Sequence, residues 1–112
     1  LALGDLGSHF PDTDPENEGM DSQEIVNHAV KLMHSKGFDV VNIDATVHLE
    51  TPKLGPHMES MRNTIAHLLG VETSKISLKA TTGEKMGPVG RHEAITAECV
   101  LLIEKRQRIQ PL

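Results

Sequence analysis

Three short stretches gather the side chains able to do chemistry. The first, residues 4–15, holds Asp5, Asp12 and Asp14 among two glycines and two prolines. Gly4 and Gly7 allow backbone angles that other residues avoid, and Pro11 and Pro15 fix φ and press the preceding residue toward extended geometry. A stiff, irregular loop is expected, neither helix nor strand. Its carboxylates can accept hydrogen bonds from the hydroxyls of a sugar alcohol. The same Asp12-Thr13-Asp14-Pro15 run is also good chemistry for a plain solvated turn. The second stretch, Thr51-Pro52-Lys53-Leu54-Gly55-Pro56, is another rigid loop. Backbone N–H groups around Leu6-Gly7 and Leu54-Gly55 can approach a ligand closely, because glycine adds no side chain. The third stretch is Thr81-Thr82-Gly83-Glu84-Lys85, continuing irregularly to Arg91. Its threonines can donate to phosphate, and Lys53, Lys85 and Arg91 can neutralise it. Glu84 is out of place beside a phosphate unless Mg²⁺ or Mn²⁺ bridges the two, held by one carboxylate, phosphate oxygens and water. The bland alternative is an exposed Glu84–Lys85 charge pair.

The chain has 112 residues, one domain's length, and 38% are hydrophobic, enough for a modest core. Phe10 and Phe38 are its only aromatic residues, so that core is aliphatic and methionine-filled. A net charge of −5 argues against a nucleic-acid binder, which presents a basic face. No run is long enough to span a bilayer as a helix. Cys99 stands alone, which rules out an internal disulfide and fits a reducing compartment. Its expected place is a buried strand.

The elements that must position these stretches follow from periodicity. A helix should open at Asp21, with Glu24 completing a capping box. It carries an apolar stripe of Ile25, Val26, Ala29, Val30 and Met33, and ends at Lys36 with Gly37 just past it. Residues 38–50 alternate with period two: Val41, Ile43, Ala45, Val47 and Leu49 against Asn42, Asp44, Thr46, His48 and Glu50. A second helix follows Pro56 and ends at Gly70. Residues 76–81 and 94–104 read as further strands, and 105–112 as a basic, frayed tail. Leu1-Ala2-Leu3 reads as the end of a helix that begins upstream. The class is α+β: a small mixed sheet with helices on one face, in one domain over 1–112. Two helices cannot cover both faces, so the other must meet solvent or another subunit.

The motifs resemble the 2-C-methyl-D-erythritol 2,4-cyclodiphosphate synthases of the methylerythritol phosphate route to isoprenoids. Carrying the likeness are Ala2-Leu3-Gly4-Asp5-Leu6-Gly7 and Phe10-Pro11-Asp12-Thr13-Asp14-Pro15, then Thr51-Pro52-Lys53-Leu54-Gly55-Pro56-His57, then Lys79-Ala80-Thr81-Thr82-Gly83-Glu84-Lys85-Met86-Gly87. It covers residues 2–105. It implies conversion of 4-diphosphocytidyl-2-C-methyl-D-erythritol 2-phosphate to the cyclic diphosphate, with release of CMP. It also implies that Asp5, Leu6 and Gly7, with Phe10, Pro11, Asp12, Thr13 and Asp14, line the methylerythritol phosphate region. Leu49, Glu50, Thr51, Pro52, Lys53, Leu54 and Gly55 would form the cytosine pocket, largely through backbone. Thr81 and Thr82 would contact the diphosphate, Thr82 orienting it for attack, and Glu84 would hold Mg²⁺ or Mn²⁺ between the α- and β-phosphates. Gly83 and Arg91 fall in the same substrate-facing stretch. The resemblance further implies a homotrimer with sheets facing the threefold axis and CDP-type substrate bound between subunits. One chain's first loop would then face another's second and third. The compartment implied is bacterial cytoplasm or plastid stroma.

There are departures. Gly83 stands where Thr is common, which should loosen the loop, and Pro88 stands where many members carry Phe. The family's zinc ligands, an Asp-x-His pair and a later His, belong to a region before residue 1, as does the His-Ser pair of its catalytic flap. None of His9, His28, His34, His48, His57, His67 or His92 stands in their place. Zinc is therefore expected from an upstream segment, and the chain reads as processed or truncated. A non-catalytic trimeric module binding a nucleotide or an isoprenoid diphosphate is the alternative reading.

Overall fold

The long alternating segment becomes the strand on which everything else is assembled. In the structure, a computed structural model describing residues 1–107, it runs Phe38–His48 (β1). Before it stand α1 (Leu6–His9) and α2 (Ser22–Ser35); after it come α3 (Met58–Leu69), β2 (Ile76–Thr81), α4 (Gly87–Gly90) and β3 (Thr96–Lys105). The sheet order is β2-β1-β3, with β1 parallel to β2 and antiparallel to β3. A parallel pair needs a crossover, and α3 supplies it. The α+β class with a small mixed sheet is what the sequence led one to expect.

Register explains which face is covered. Ile43, Ala45 and Val47 stand beside Ile76, Leu78 and Ala80 on β2, and beside Leu101, Cys99 and Ala97 on β3. Helices α2 and α3 pack over β1 and β2, and the buried residues Met33, Val40, Ala66 and Ile76 mark that seam. A register shift between Val40 and Asn42 breaks the alternation, so Val40 and not Val41 is the buried valine. Strand β3 lies beyond helix cover, and only Ile103 in it is half-buried. Cys99 is therefore exposed, not a core residue: its strand sits at the sheet edge, where no helix closes over it. On the opposite face Val100 is 77% and Leu102 57% exposed.

Local chemistry sets the element ends. The Asp21 carboxylate caps α2 by accepting from Gln23 N–H at 2.8 Å. Glu24 N–H goes to the Asp21 carbonyl, and among the described residues no reciprocal bond from the Glu24 side chain completes a capping box. Gly70 ends α3 in the left-handed conformation. Arg62 ties α3 to the entry of β2, donating to the carbonyls of Ile76 (3.1 Å) and Thr73 (2.9 Å) and to Glu59 (2.9 Å).

Three further expectations need correction. Leu1-Ala2-Leu3 is irregular rather than helical, with Ala2 at φ +54. Residues 4–15 are not wholly irregular, because Asp5 caps the single turn α1 and Asp14 caps a 3₁₀ turn at Pro15–Asn17. The tail does not fray at residue 105, since Lys105 completes β3. Arg106 then donates its N–H to Gly37 O (2.7 Å) and its guanidinium to both Asp39 oxygens (3.0 and 2.6 Å). Residues 108–112 lie outside the described residues.

Candidate functional site at the strand ends

Strands β1 and β2 run parallel, so the loops that leave their carboxyl ends are neighbours, the place where open sheets present ligand sites. Leu49 N–H donates to Thr81 O at 2.9 Å, which carries the pairing one residue past the end of β1, to the last residue of β2. Beyond it, Glu50 Oε1 accepts from Gly83 N–H (2.6 Å) and Lys85 N–H (3.4 Å), and Thr51 Oγ1 lies 3.1 Å from His92 Nδ1. Three side-chain contacts thus join Glu50, just before the second stretch, and Thr51, its first residue, to the third stretch and to His92 just after it. Thr51, Pro52, Lys53 and Gly55 are exposed there and Leu54 is half-buried.

The third loop is tightly folded. Glu84 and Lys85 both take positive φ (+53 and +60), which costs non-glycine residues about 1 kcal/mol each. Glu84 N–H donates to Thr82 Oγ1 at 3.2 Å, leaving the Thr82 O–H proton for an outside acceptor. A Cβ on Gly83 would meet Gly90 N at 2.7 Å, and one on Gly90 would meet Lys85 C at 2.3 Å. Gly83 therefore does not loosen the loop; it lets two backbone segments touch. Arg91 is turned to Glu93 (3.0 and 3.2 Å), so its charge is already partnered. Lys53 and Lys85 make no ion pair among the described residues.

The first loop stands apart. Asp5 Oδ1 accepts from Ser8 N–H (2.9 Å) and Asp14 Oδ1 from Glu16 N–H (3.0 Å), so each spends one oxygen on a cap and keeps the other. Gly4 has φ +92, and a Cβ there would meet Ser8 Oγ at 2.8 Å. Asp12, Thr13 and Asp14 line an open cleft of about 400 Å³ with Pro15, Asn17 and Glu18. Phe10 meets the His28 ring edge-on at 5.0 Å, and His9 Nδ1 lies 3.4 Å from His28 Nε2, which fixes this loop on α2. Leu6 and Gly7 lie in α1, exposed. No hydrogen bond links the first loop to the other two among the described residues.

The donor set discriminates between metals. Among the described residues no group of three His, Cys, Asp or Glu could hold a metal, so no zinc ligand set is found there. The Glu84 carboxylate is exposed and forms no hydrogen bond or ion pair among the described residues. One free carboxylate with room for water and phosphate oxygens fits Mg²⁺ or Mn²⁺. The side-chain roles of Glu50 and His92 escaped the sequence reading, since their partners lie 33 and 41 residues away and leave no local signal.

The chain is a small α+β domain with rigid, polar loops at the carboxyl ends of adjacent parallel strands. The chain is a member of the YgbB family, whose model matches residues 1–104. It is 49% identical over 105 residues to the 2-C-methyl-D-erythritol 2,4-cyclodiphosphate synthase of Ectopseudomonas mendocina, covering 94% of this chain and 67% of that one. It is 52% identical over 104 residues to the synthase of Chloroherpeton thalassium, covering 93% and 66%. The chain spans about two thirds of the length of these curated relatives. Among solved structures, the bifunctional IspDF of Campylobacter jejuni superposes with a TM-score of 0.86 at 35% identity, over 92% of this chain and 28% of that one. A CDP-bound form of the synthase gives 0.82 at 30% identity, over 91% and 65%.

Proposed function

We propose that the protein acts as a 2-C-methyl-D-erythritol 2,4-cyclodiphosphate synthase, a phosphorus–oxygen lyase. A 2-phosphate oxygen attacks the β-phosphorus of 4-diphosphocytidyl-2-C-methyl-D-erythritol 2-phosphate. The bond from the β-phosphorus to the bridging oxygen breaks, and CMP leaves with the electron pair. Such transfer needs positioning and charge neutralisation more than a protein nucleophile. The observation that carries the reading is the joining of the second and third loops, with the Thr82 hydroxyl and the Glu84 carboxylate both available. The names of relatives about half identical favour an enzyme over a non-catalytic binding module.

In this reading the exposed second loop takes the cytosine, Thr81 and Thr82 hold the diphosphate, and Lys53 and Lys85 offset its charge. Asp12 takes the hydroxyls of the erythritol moiety together with Asp5 and Asp14, which use the oxygens their caps leave unused. Glu84 would hold a divalent cation, which would supply charge neutralisation for the diphosphate. Because the first loop stands apart from the other two within one chain, the complete site is assembled between subunits of a homotrimer. The exposed apolar residues of β3 support such an assembly. Bacterial relatives and a lone cysteine are consistent with a reducing compartment such as bacterial cytoplasm or plastid stroma, and among the described residues no helix is long and apolar enough to cross a membrane.

The test is Glu84→Gln followed by phosphorus NMR of the product. Turnover should fall by about 10²-fold, the usual loss for a deleted charge-stabilising group. CDP should still bind within about threefold, since its cytosine contacts lie on another loop. Unchanged turnover at limiting Mg²⁺ would remove Glu84 from the cation role.

A further inference from the structure

We propose that the Glu50 carboxylate is a positioning residue that couples the nucleobase loop to the diphosphate loop. This rests on the function proposed above. Glu50 sits just past the end of β1, and its Oε1 reaches across to Gly83 N–H and Lys85 N–H at 2.6 and 3.4 Å. Those two amides flank Glu84, the residue offered to the cation. The three consecutive N–H groups of the loop are therefore all spoken for: two by Glu50 and the middle one by Thr82 Oγ1. Two consecutive non-glycine residues in left-handed conformation persist only when their surroundings hold them there, and Glu50 supplies that hold.

Two consequences follow for the ligand. First, a movement of the second loop on binding its base is transmitted through the Glu50 side chain to the backbone on either side of Glu84. Second, amides that elsewhere would solvate a phosphate are already spent on an internal carboxylate. The diphosphate must then be met by hydroxyls, lysines and a divalent cation. The half-buried Glu50 thus contributes to the site's demand for a cation without ligating it.

The experiment compares Glu50→Gln with Glu50→Ala in the protein. Glutamine keeps an acceptor oxygen at the same reach, and alanine does not. In Glu50→Ala the Gly83 and Lys85 amide protons should shift upfield and exchange with solvent faster by NMR, while amides of β1 and α3 hold. The kcat should fall about 10- to 100-fold, as for a reacting group displaced by about an ångström. The Mg²⁺ concentration for half-maximal rate should rise, and CMP affinity should stay within about threefold. Glu50→Gln should recover most of both readouts. Unmoved Gly83 and Lys85 amides in Glu50→Ala would overturn the clamp, whatever the reaction turns out to be. Moved amides with kcat and Mg²⁺ dependence unchanged would overturn its coupling to catalysis. A wild-type protein that forms no cyclic product would instead count against the function proposed above, with the amide readout still deciding the clamp.

Discussion

At the residue scale, the third loop depends on two glycines that no other side chain can replace without moving backbone. A Cβ on Gly90 would fall 2.3 Å from Lys85 C, far inside contact distance, with no flexible side chain to yield. Gly90→Ala should cost about 1–3 kcal/mol by chemical denaturation, as overpacking does. Gly55→Ala, where nothing lies within 4 Å, should stay within about 0.5 kcal/mol. Equal losses in the two variants would mean that the close approach is not rigid. Asp39 offers a pH test. Hydrogen bonds from Arg106, helped by its charge and that of His34, hold the Asp39 carboxyl below the usual carboxylate range against a smaller opposing effect of desolvation. A carboxyl lowered in the folded state stabilises the fold above its ordinary range, near pH 4, and loses that contribution as pH falls through the folded value. Asp39→Asn should therefore lower Tm at pH 7, and the gap to wild type should close as the pH drops below about 4. A gap constant with pH would show that the pair is not what the substitution removes.

At the element scale, Arg62 is the tie between α3 and the start of β2. Its guanidinium satisfies the carbonyls of Thr73 and Ile76 in a partly buried seam, next to the most buried residue of the core, Ile76. Arg62→Met would keep much of the apolar stem and strand both carbonyls. The expected loss is about 2–3 kcal/mol, because the unmade partners cost more than a made bond contributes. Glu59→Gln, which touches only the exposed end of the same guanidinium, should cost less than about 0.5 kcal/mol. Urea denaturation of both variants separates the buried from the exposed part of this contact.

At the scale of the whole molecule, the helices cover one side of β1 and β2 and leave β3 bare. Val100 and Leu102 project from the uncovered face beside the Asp44–Lys79 and His48–Glu98 pairs. Exposed apolar residues on a sheet face favour association, and the trimer proposed above would use them. Val100→Glu should shift the protein from trimer toward monomer in sedimentation velocity at micromolar concentration, with far-UV circular dichroism retained. A wild-type protein that is already monomeric under those conditions would remove the assembly and, with it, the idea of a site shared between chains.

Much of this was legible in the chain itself, because it is local. Asp21 and Gly37 mark the ends of α2 by capping chemistry, the period-two run marks β1, and Gly70 marks the end of α3, each set by neighbours a few residues away. The motifs around Asp5, Thr51 and Glu84 likewise stand in the sequence as composition and order. What the sequence could not contain is which of those loops meet. The parallel pairing of β1 with β2 brings residue 50 to residue 83, and the edge position of β3 exposes Cys99, whose own pattern reads as buried. Both depend on contacts dozens of residues apart, where a one-dimensional pattern reports a residue's preference for burial but not whether another element arrives to bury it.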